Sequence, residues 1–148
     1  MDLQMNPAFQ IYAMCSAVLV LKMLAIGHYT GFLRIKVKAF LNPEDSKQFG
    51  EGTGLGSSEH PDVDRGLRAH RNDLESTLPF FAIGLIYVLM GGTGALATTL
   101  MVGFTTLRLL FSIFYLRGMQ PFRSLSFIAA ELCLVVMILQ ILYWALLG

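Results

Sequence analysis

Charge is what this chain has least of: 14% of its 148 residues are Asp, Glu, Lys or Arg, against about 25% in an ordinary soluble domain. Apolar residues make up 55%, so a water-soluble globule of this size would lack the polar side chains to cover its surface. The shortage is uneven. Leu3 to Leu21, Ser76 to Leu107 and Leu132 to Gly148 carry no charge at all, and uncharged apolar runs of about 18 residues or more are long enough to cross a hydrocarbon core of roughly 30 Å. A soluble enzyme is thereby excluded as the default, and no room remains for a separate extramembrane domain. A formal net charge of +1 also argues against nucleic acid as a partner.

Cysteine is nearly as scarce. Cys15 and Cys133 both lie inside apolar runs with no cation beside them, which reads as two small buried hydrophobes rather than a disulfide or a reactive thiol. His28, His60 and His70 have no companions at metal-ligand spacing. Met1-Asp2-Leu3-Gln4 lacks the basic start of a signal peptide, and Lys22 follows the apolar stretch instead of preceding it, so a cleaved leader is not expected.

What is present divides into four helical spans forming one membrane domain over residues 1–148. The first runs from about Pro7 to Val37, with proline where a helix favours it and apolar side chains nearly all round. A loop follows over about 38–61, basic at first and then rich in glycine and serine between Pro43 and Pro61; long loops of this kind tend to be functional or mobile. Helix two is expected over about 62–90. Its length exceeds the hydrocarbon thickness at 1.5 Å per residue, so its charged first turns project beyond the bilayer. Gly91-Gly92-Thr93-Gly94 is a tight turn, helix three is expected over about 95–116, and helix four over about 121–147, with Tyr143 and Trp144 at the far interface. Seven of the eleven cations (Arg34, Lys36, Lys38, Lys47, Arg65, Arg68, Arg71) flank the first connection and two (Arg117, Arg123) flank the third. The positive-inside rule then puts those connections in the cytosol and both termini away from it.

The informative residues are the ionisable ones that the spans carry toward the bilayer: Lys22, Arg68, Arg71, Asp73, Glu75, Arg108 and Glu131. Each costs about 2.5 to 3.5 kcal/mol at a helix centre, so such residues face inward, pair and mark sites. Arg68, Arg71, Asn72 and Glu75 fall at i, i+3, i+4 and i+7 and share a helix face. Arg108 and Tyr115 share a face of helix three, and Arg123, Ser124, Phe127 and Glu131 form a stripe on helix four. Taken singly, each reads more readily as part of a structural network, Lys22 above all, paired to Asp73 or Glu131. Taken together, four arginines (Arg68, Arg71, Arg108, Arg123) set against Glu75 and Glu131 leave an excess of positive charge that an anionic ligand would balance. Arginines for carboxylates, a glutamate for an ammonium group and a serine hydroxyl suit a small peptide with two carboxylates and one amine; glutathione has that inventory. Ser124 lies in the first turn of helix four beside Arg123, where free backbone N–H groups and a guanidinium would lower the pKa of a thiol and hold it as the nucleophilic thiolate.

Asn42-Pro43-Glu44-Asp45, Asp62-Val63-Asp64-Arg65, Arg68-Ala69-His70-Arg71-Asn72-Asp73-Leu74-Glu75 and Pro79-Phe80 resemble the membrane-associated proteins in eicosanoid and glutathione metabolism (MAPEG), in the branch of microsomal prostaglandin E synthase and microsomal glutathione transferase. The resemblance implies an all-α integral membrane protein, a four-transmembrane-helix bundle assembling as a homotrimer, with a glutathione site between neighbouring protomers open to the cytosol. By position, Arg68, Arg71, Asn72 and Glu75 would hold the glutathione backbone, and Arg34 would reach in from the adjacent protomer. Arg108, Tyr115, Arg123, Ser124 and Phe127 match positions around the thiol. Asp45 matches an acidic loop residue proposed to pair with the helix-four arginine; its turn equally suits it to capping. Phe111 and Phe127 stand where the synthase has histidine and tyrosine. Leu78-Pro79-Phe80-Phe81-Ala82-Ile83-Gly84-Leu85-Ile86-Tyr87 resembles the transferase more. Three activities follow from the resemblance: thiolate conjugation to lipophilic electrophiles or reduction of lipid hydroperoxides; isomerisation of a prostaglandin endoperoxide; or non-catalytic lipid binding. The lipophilic substrate would enter from the bilayer, in the endoplasmic reticulum of a eukaryote or the inner membrane of a bacterium.

Overall fold

A computed structural model describes residues 6–38, 40–50 and 58–147. These form α1 (Pro7–Val37), α2 (Pro43–Phe49), α3 (Pro61–Leu89), α4 (Gly94–Arg117) and α5 (Phe122–Leu147). The four long helices fall within about a residue of the expected boundaries. The 38–61 segment departs from expectation, because α2 interrupts it. Asn42-Pro43-Glu44-Asp45 is itself a helix start, with proline in the first turn and two carboxylates against the positive end of the helix dipole; read as loop punctuation, the proline concealed it. The last helix likewise begins at Phe122, one residue beyond Pro121.

Local chemistry sets each end. Asn6 Oδ1 accepts from the Ala8 N–H at 3.0 Å, satisfying one of the donors that a first turn leaves free. His60 does the same for Asp62 at 3.3 Å through Nδ1, with Asp62 and Asp64 in the first turn of α3. Gly91 and Gly94, at φ of 101° and 75°, make the α3–α4 turn, and Gly118 ends α4 at φ 69°. Side chains rarely adopt such left-handed backbone, so glycine is required there.

α4 lies along α5 and α1 along α3, with further contact of α1 to α4 and of α3 to α5 and α4. Leu19, Phe80, Met101, Phe104 and Met137 form the centre. The rings of Phe80 and Phe104 stack with centroids 4.5 Å apart and planes within 3°. At Gly66 the α1–α3 approach is so close that a Cβ would sit 2.6 Å from Thr30 Oγ1. Small residues commonly allow such contact in membrane bundles, where helix association relies on packing more than on the hydrophobic effect. Trp144 stacks on Tyr87 at 5.3 Å, so it is packed against the bundle rather than only lying at an interface. Cys15 and Cys133 are free thiols, the first buried.

The outer surface is apolar: Leu21, Leu132 and Leu146 are 66%, 58% and 78% exposed. α1, α4 and α5 are each long and apolar enough to cross a membrane, and the protein is a multi-pass, all-helical membrane protein. The uncharged part of α3 begins only at Ser76, because its first half carries Asp62 to Glu75.

Candidate functional site

The sites of interest sit where the charged half of α3 meets the C-terminal end of α4 and the start of α5. There a cavity of about 310 Å³ is lined by Asn72, Phe111, Tyr115, Arg123, Ser124, Phe127 and Ile128. Five of the residues singled out from sequence, Asn72, Tyr115, Arg123, Ser124 and Phe127, therefore converge on one pocket. The helical phase explains it: Arg123, Ser124 and Phe127 are one stripe of α5, and Phe111 and Tyr115 lie one turn apart on α4.

Arg123 is held from two sides. Its Cζ lies 4.9 Å from the Tyr115 ring centroid, a cation–π arrangement. Because a guanidinium only donates, the Gln120 amide is assigned with its oxygen toward Arg123, 3.2 Å from Nε and 2.6 Å from Nη2. In that orientation the Ser124 Oγ, 3.1 Å from the amide, accepts from its nitrogen and keeps its own hydrogen for the pocket. A guanidinium, a hydroxyl and a helix N-terminus in one pocket suit an anion; Phe111, Phe127 and Ile128 make the remaining wall apolar.

Arg108 stands behind that apolar wall and is fully buried. Its Cζ lies 4.5 Å from the Phe111 ring centroid and 5.9 Å from that of Phe127. Nη2 donates to Asp73 Oδ1 at 2.7 Å, to Asn72 Oδ1 at 2.9 Å and to the Asn72 carbonyl at 3.1 Å. Asp73, 0% exposed, also accepts from Lys22 Nζ at 2.8 Å, so of the two carboxylates considered for Lys22 the structure selects Asp73. Asp73, singled out in the sequence as an ionisable residue near the bilayer and as a partner for Lys22, was not placed among the ligand-binding residues.

The remaining candidates do not line this pocket. Arg34 pairs with Glu59, and Arg68 pairs with Asp64 one turn away on α3. Arg71 and Glu75 are exposed on α3, with no hydrogen-bond or ion-pair partner among the described residues. Asp45 accepts from Asn42 Nδ2 at 3.2 Å across the first turn of α2, a local side-chain pair; it does not line the pocket that holds Arg123. The expected surplus of arginine over carboxylate is therefore corrected: Asp64 and Asp73 take up Arg68 and Arg108, and of those four arginines Arg71 and Arg123 are left without a carboxylate partner among the described residues. Glu131 is half-buried with Oε1 unpartnered among the described residues.

A larger groove of about 760 Å³ runs along α1 and α3 between Val20 and Ile35, with His28 and His70 as its polar members. It holds neither a cation nor an acid.

Residues 12–143 match the MAPEG family. The chain is 38% identical over 141 residues to "Prostaglandin E synthase" of Homo sapiens, covering 95% of this chain and 91% of that protein. It is 40% identical over 147 residues to the Bos taurus protein of the same name, covering 98% and 92%. It is also 38% identical over 132 residues to "Microsomal glutathione S-transferase 1" of Sus scrofa, covering 85% and 83%.

Proposed function

Since the chain belongs to the MAPEG family, we propose that it is a glutathione-dependent membrane enzyme whose chemistry takes place in the pocket between α3, α4 and α5. The observation that carries this reading is one pocket that combines Arg123, Ser124 and the first turn of α5 with the apolar Phe111, Phe127 and Ile128. The polar part stabilises a thiolate; the apolar part receives a lipophilic group.

The donor set fits glutathione. Asn72 and Tyr115 supply neutral polar groups inside the pocket, and the exposed, unpaired Arg71 and Glu75 on α3 extend it with a charge of each sign, matching a carboxylate and an ammonium group. Glutathione supplies the reacting sulfur. Arg123 lowers the energy of its anionic form, Ser124 donates a hydrogen bond to it, and the aromatic wall excludes water from the reacting face. For a chloro-aromatic electrophile the sulfur–carbon bond that forms replaces the carbon–chlorine bond, and chloride leaves. For a lipid hydroperoxide the O–O bond breaks, the lipid leaves as alcohol, and a second glutathione reduces the oxidised sulfur to the disulfide, with loss of water. Fixing sulfur and acceptor side by side supplies the rest of the rate gain.

Three spatial features belong to the same proposal. α3 is the fourth transmembrane helix, its charged turns projecting on the cytosolic side, where Arg34, Arg65, Arg68 and Arg71 cluster; both termini lie opposite. The assembly is a homotrimer in which Arg34 leaves Glu59 to reach a neighbour's site, supported by the large exposed apolar surface of α1 and α5. Asp45, Arg68 and Arg108 contribute at the periphery of the site.

A second reading keeps the site and changes the substrate: the thiolate attacks a peroxide oxygen of a prostaglandin endoperoxide, forming an S–O bond as the O–O bond breaks and the other oxygen takes a proton to become the hydroxyl; loss of the proton on the carbon bearing the sulfur-bound oxygen then forms the ketone, breaks the S–O bond and releases the thiolate unchanged. The relatives named prostaglandin E synthase favour it; the aromatic Phe111 and Phe127 favour the general thiolate chemistry. Purified protein in detergent, given glutathione with a chloro-nitroaromatic, a lipid hydroperoxide or the endoperoxide, separates them. Turnover of the first two alone supports the transferase and peroxidase reading, prostaglandin E formation supports the isomerase, and absence of turnover and of glutathione binding leaves a lipid-binding scaffold.

A further inference from the structure

The Lys22, Asp73, Arg108 and Asn72 side chains form a relay that crosses three helices and ends at the pocket. Asp73 Oδ1 receives Lys22 Nζ from α1 at 2.8 Å and Arg108 Nη2 from α4 at 2.7 Å. The same Nη2 reaches Asn72 Oδ1 at 2.9 Å. Of these four residues only Asn72 lines the pocket between α3, α4 and α5; Lys22, Asp73 and Arg108 are each at most 9% exposed.

A guanidinium has donors and no acceptor, so it can face only the oxygen of the Asn72 amide. The nitrogen is then directed away from it, and no described residue accepts from Asn72 Nδ2. The relay thus converts a side chain that could present either end into one that presents a donor. Buried charge is retained for that orientation: a lone Arg108 in apolar surroundings would be costly, and Asp73 compensates it while Lys22 fixes Asp73 from the far side. Glu131 of α5 lies within electrostatic range of the same guanidinium, and Oδ2 of Asp73 and Nε and Nη1 of Arg108 have no partner among the described residues.

We propose that Lys22 and Asp73 are positioning residues of the glutathione pocket, locking Arg108 so that Asn72 offers its N–H to a carbonyl or carboxylate oxygen of the bound peptide. The inference rests on the glutathione reading for the identity of the ligand, and not for the orientation of Asn72.

The chain has three asparagines, at positions 6, 42 and 72, so asparagine-selective 15N labelling in detergent resolves the Asn72 side-chain amide in the ligand-free protein. The wild type should show two distinct, slowly exchanging Nδ2 protons. Asp73→Leu and Lys22→Met, neither of which adds an asparagine, should shift or average them, and an unchanged signal in both overturns the proposal. Glutathione affinity is then followed in a double-mutant cycle. In the wild-type background Asp73→Asn should weaken glutathione by about tenfold, the loss of roughly one hydrogen bond to a charged group, visible in Kd and KM while the thiolate pH midpoint set by Arg123 stays. In an Asn72→Ala background the same change should cost less than about twofold. Equal losses in both backgrounds would mean that Asp73 serves the bundle alone, and would overturn the proposal. If Asp73→Asn does not fold, Lys22→Met carries the same cycle. A wild type that fails to bind glutathione removes the proposed activity, and the ligand-free amide signal still decides the orientation.

Discussion

Replacing Arg123 by alanine removes the cation from the pocket wall while leaving the α5 N-terminus in place. A sulfur seated about 4 Å from a guanidinium gains roughly 4 kcal/mol at an effective dielectric of 20, or about 3 pKa units at 1.36 kcal/mol per unit. Arg123 is only half-buried, so solvent and salt reduce this to about 1 to 2 units. Starting from an unperturbed thiol near about 8.5, the wild-type complex should titrate at roughly 6.5 to 7.5, and the alanine variant about 1 to 2 units higher. The helix N-terminus preserves a few tenths of a unit. At pH 7 the thiolate fraction, and with it the conjugation rate, should fall about tenfold. The sign is that of a depressed acid: the thiolate exists above its midpoint and is lost as pH falls through it, so the variant loses activity first at neutral pH and recovers it toward pH 9. The assay is the ultraviolet thiolate absorbance of bound glutathione against pH, alongside kcat/KM. Arg123→Lys keeps the charge, loses the flat stack on Tyr115, and should retain about half of the shift. If Arg123→Ala binds glutathione with an unchanged midpoint, Arg123 is not the activating group.

Gly66→Ala drives a methyl into Thr30 Oγ1, which is itself tied to the Ile26 carbonyl at 2.8 Å. Thermal unfolding in detergent should show a loss of about 1 to 3 kcal/mol, largely restored by adding Thr30→Ala, whereas equal melting of Gly66→Ala and wild type would refute the contact. Phe104→Ala empties one side of the ring stack with Phe80 and should cost about 3 to 5 kcal/mol by the same measurement, with a loss below about 1 kcal/mol contradicting it. Asp64→Asn removes an exposed one-turn pair with Arg68 and should change stability by less than about 0.5 kcal/mol. Cys15 should resist alkylation in the folded protein and react fully in denaturant, and rapid labelling before unfolding would place it outside the core.

The apolar runs carried the all-helical membrane class and the three helices α1, α4 and α5 long and apolar enough to cross a membrane, because spans of this length leave no alternative for the backbone in lipid. The turn at Gly91 to Gly94 was equally legible, since positive φ calls for glycine. α2 was missed because proline marks a loop and a helix's first turn alike. At the site, the Arg123, Ser124 and Phe127 stripe was visible from helical phase alone. Phase gave no sense of depth, however. Arg108 and Arg123 look alike in sequence, yet one lies behind Phe111 and the other in the pocket wall. Partner choice was hidden for the same reason: Arg68 could have faced a ligand until Asp64, four residues earlier, was seen to take it. Asp73 is the clearest case, a carboxylate whose meaning depends on α1 and α4 arriving from 51 and 35 residues away.

A structure of the protein bound to glutathione tests the central claim most directly. The expected result places the tripeptide between α3, α4 and α5, its sulfur against Arg123 and Ser124 and an oxygen acceptor on Asn72 Nδ2. A pocket that stays empty at saturating glutathione, or a tripeptide seated in the groove beside His28 and His70 instead, would contradict it.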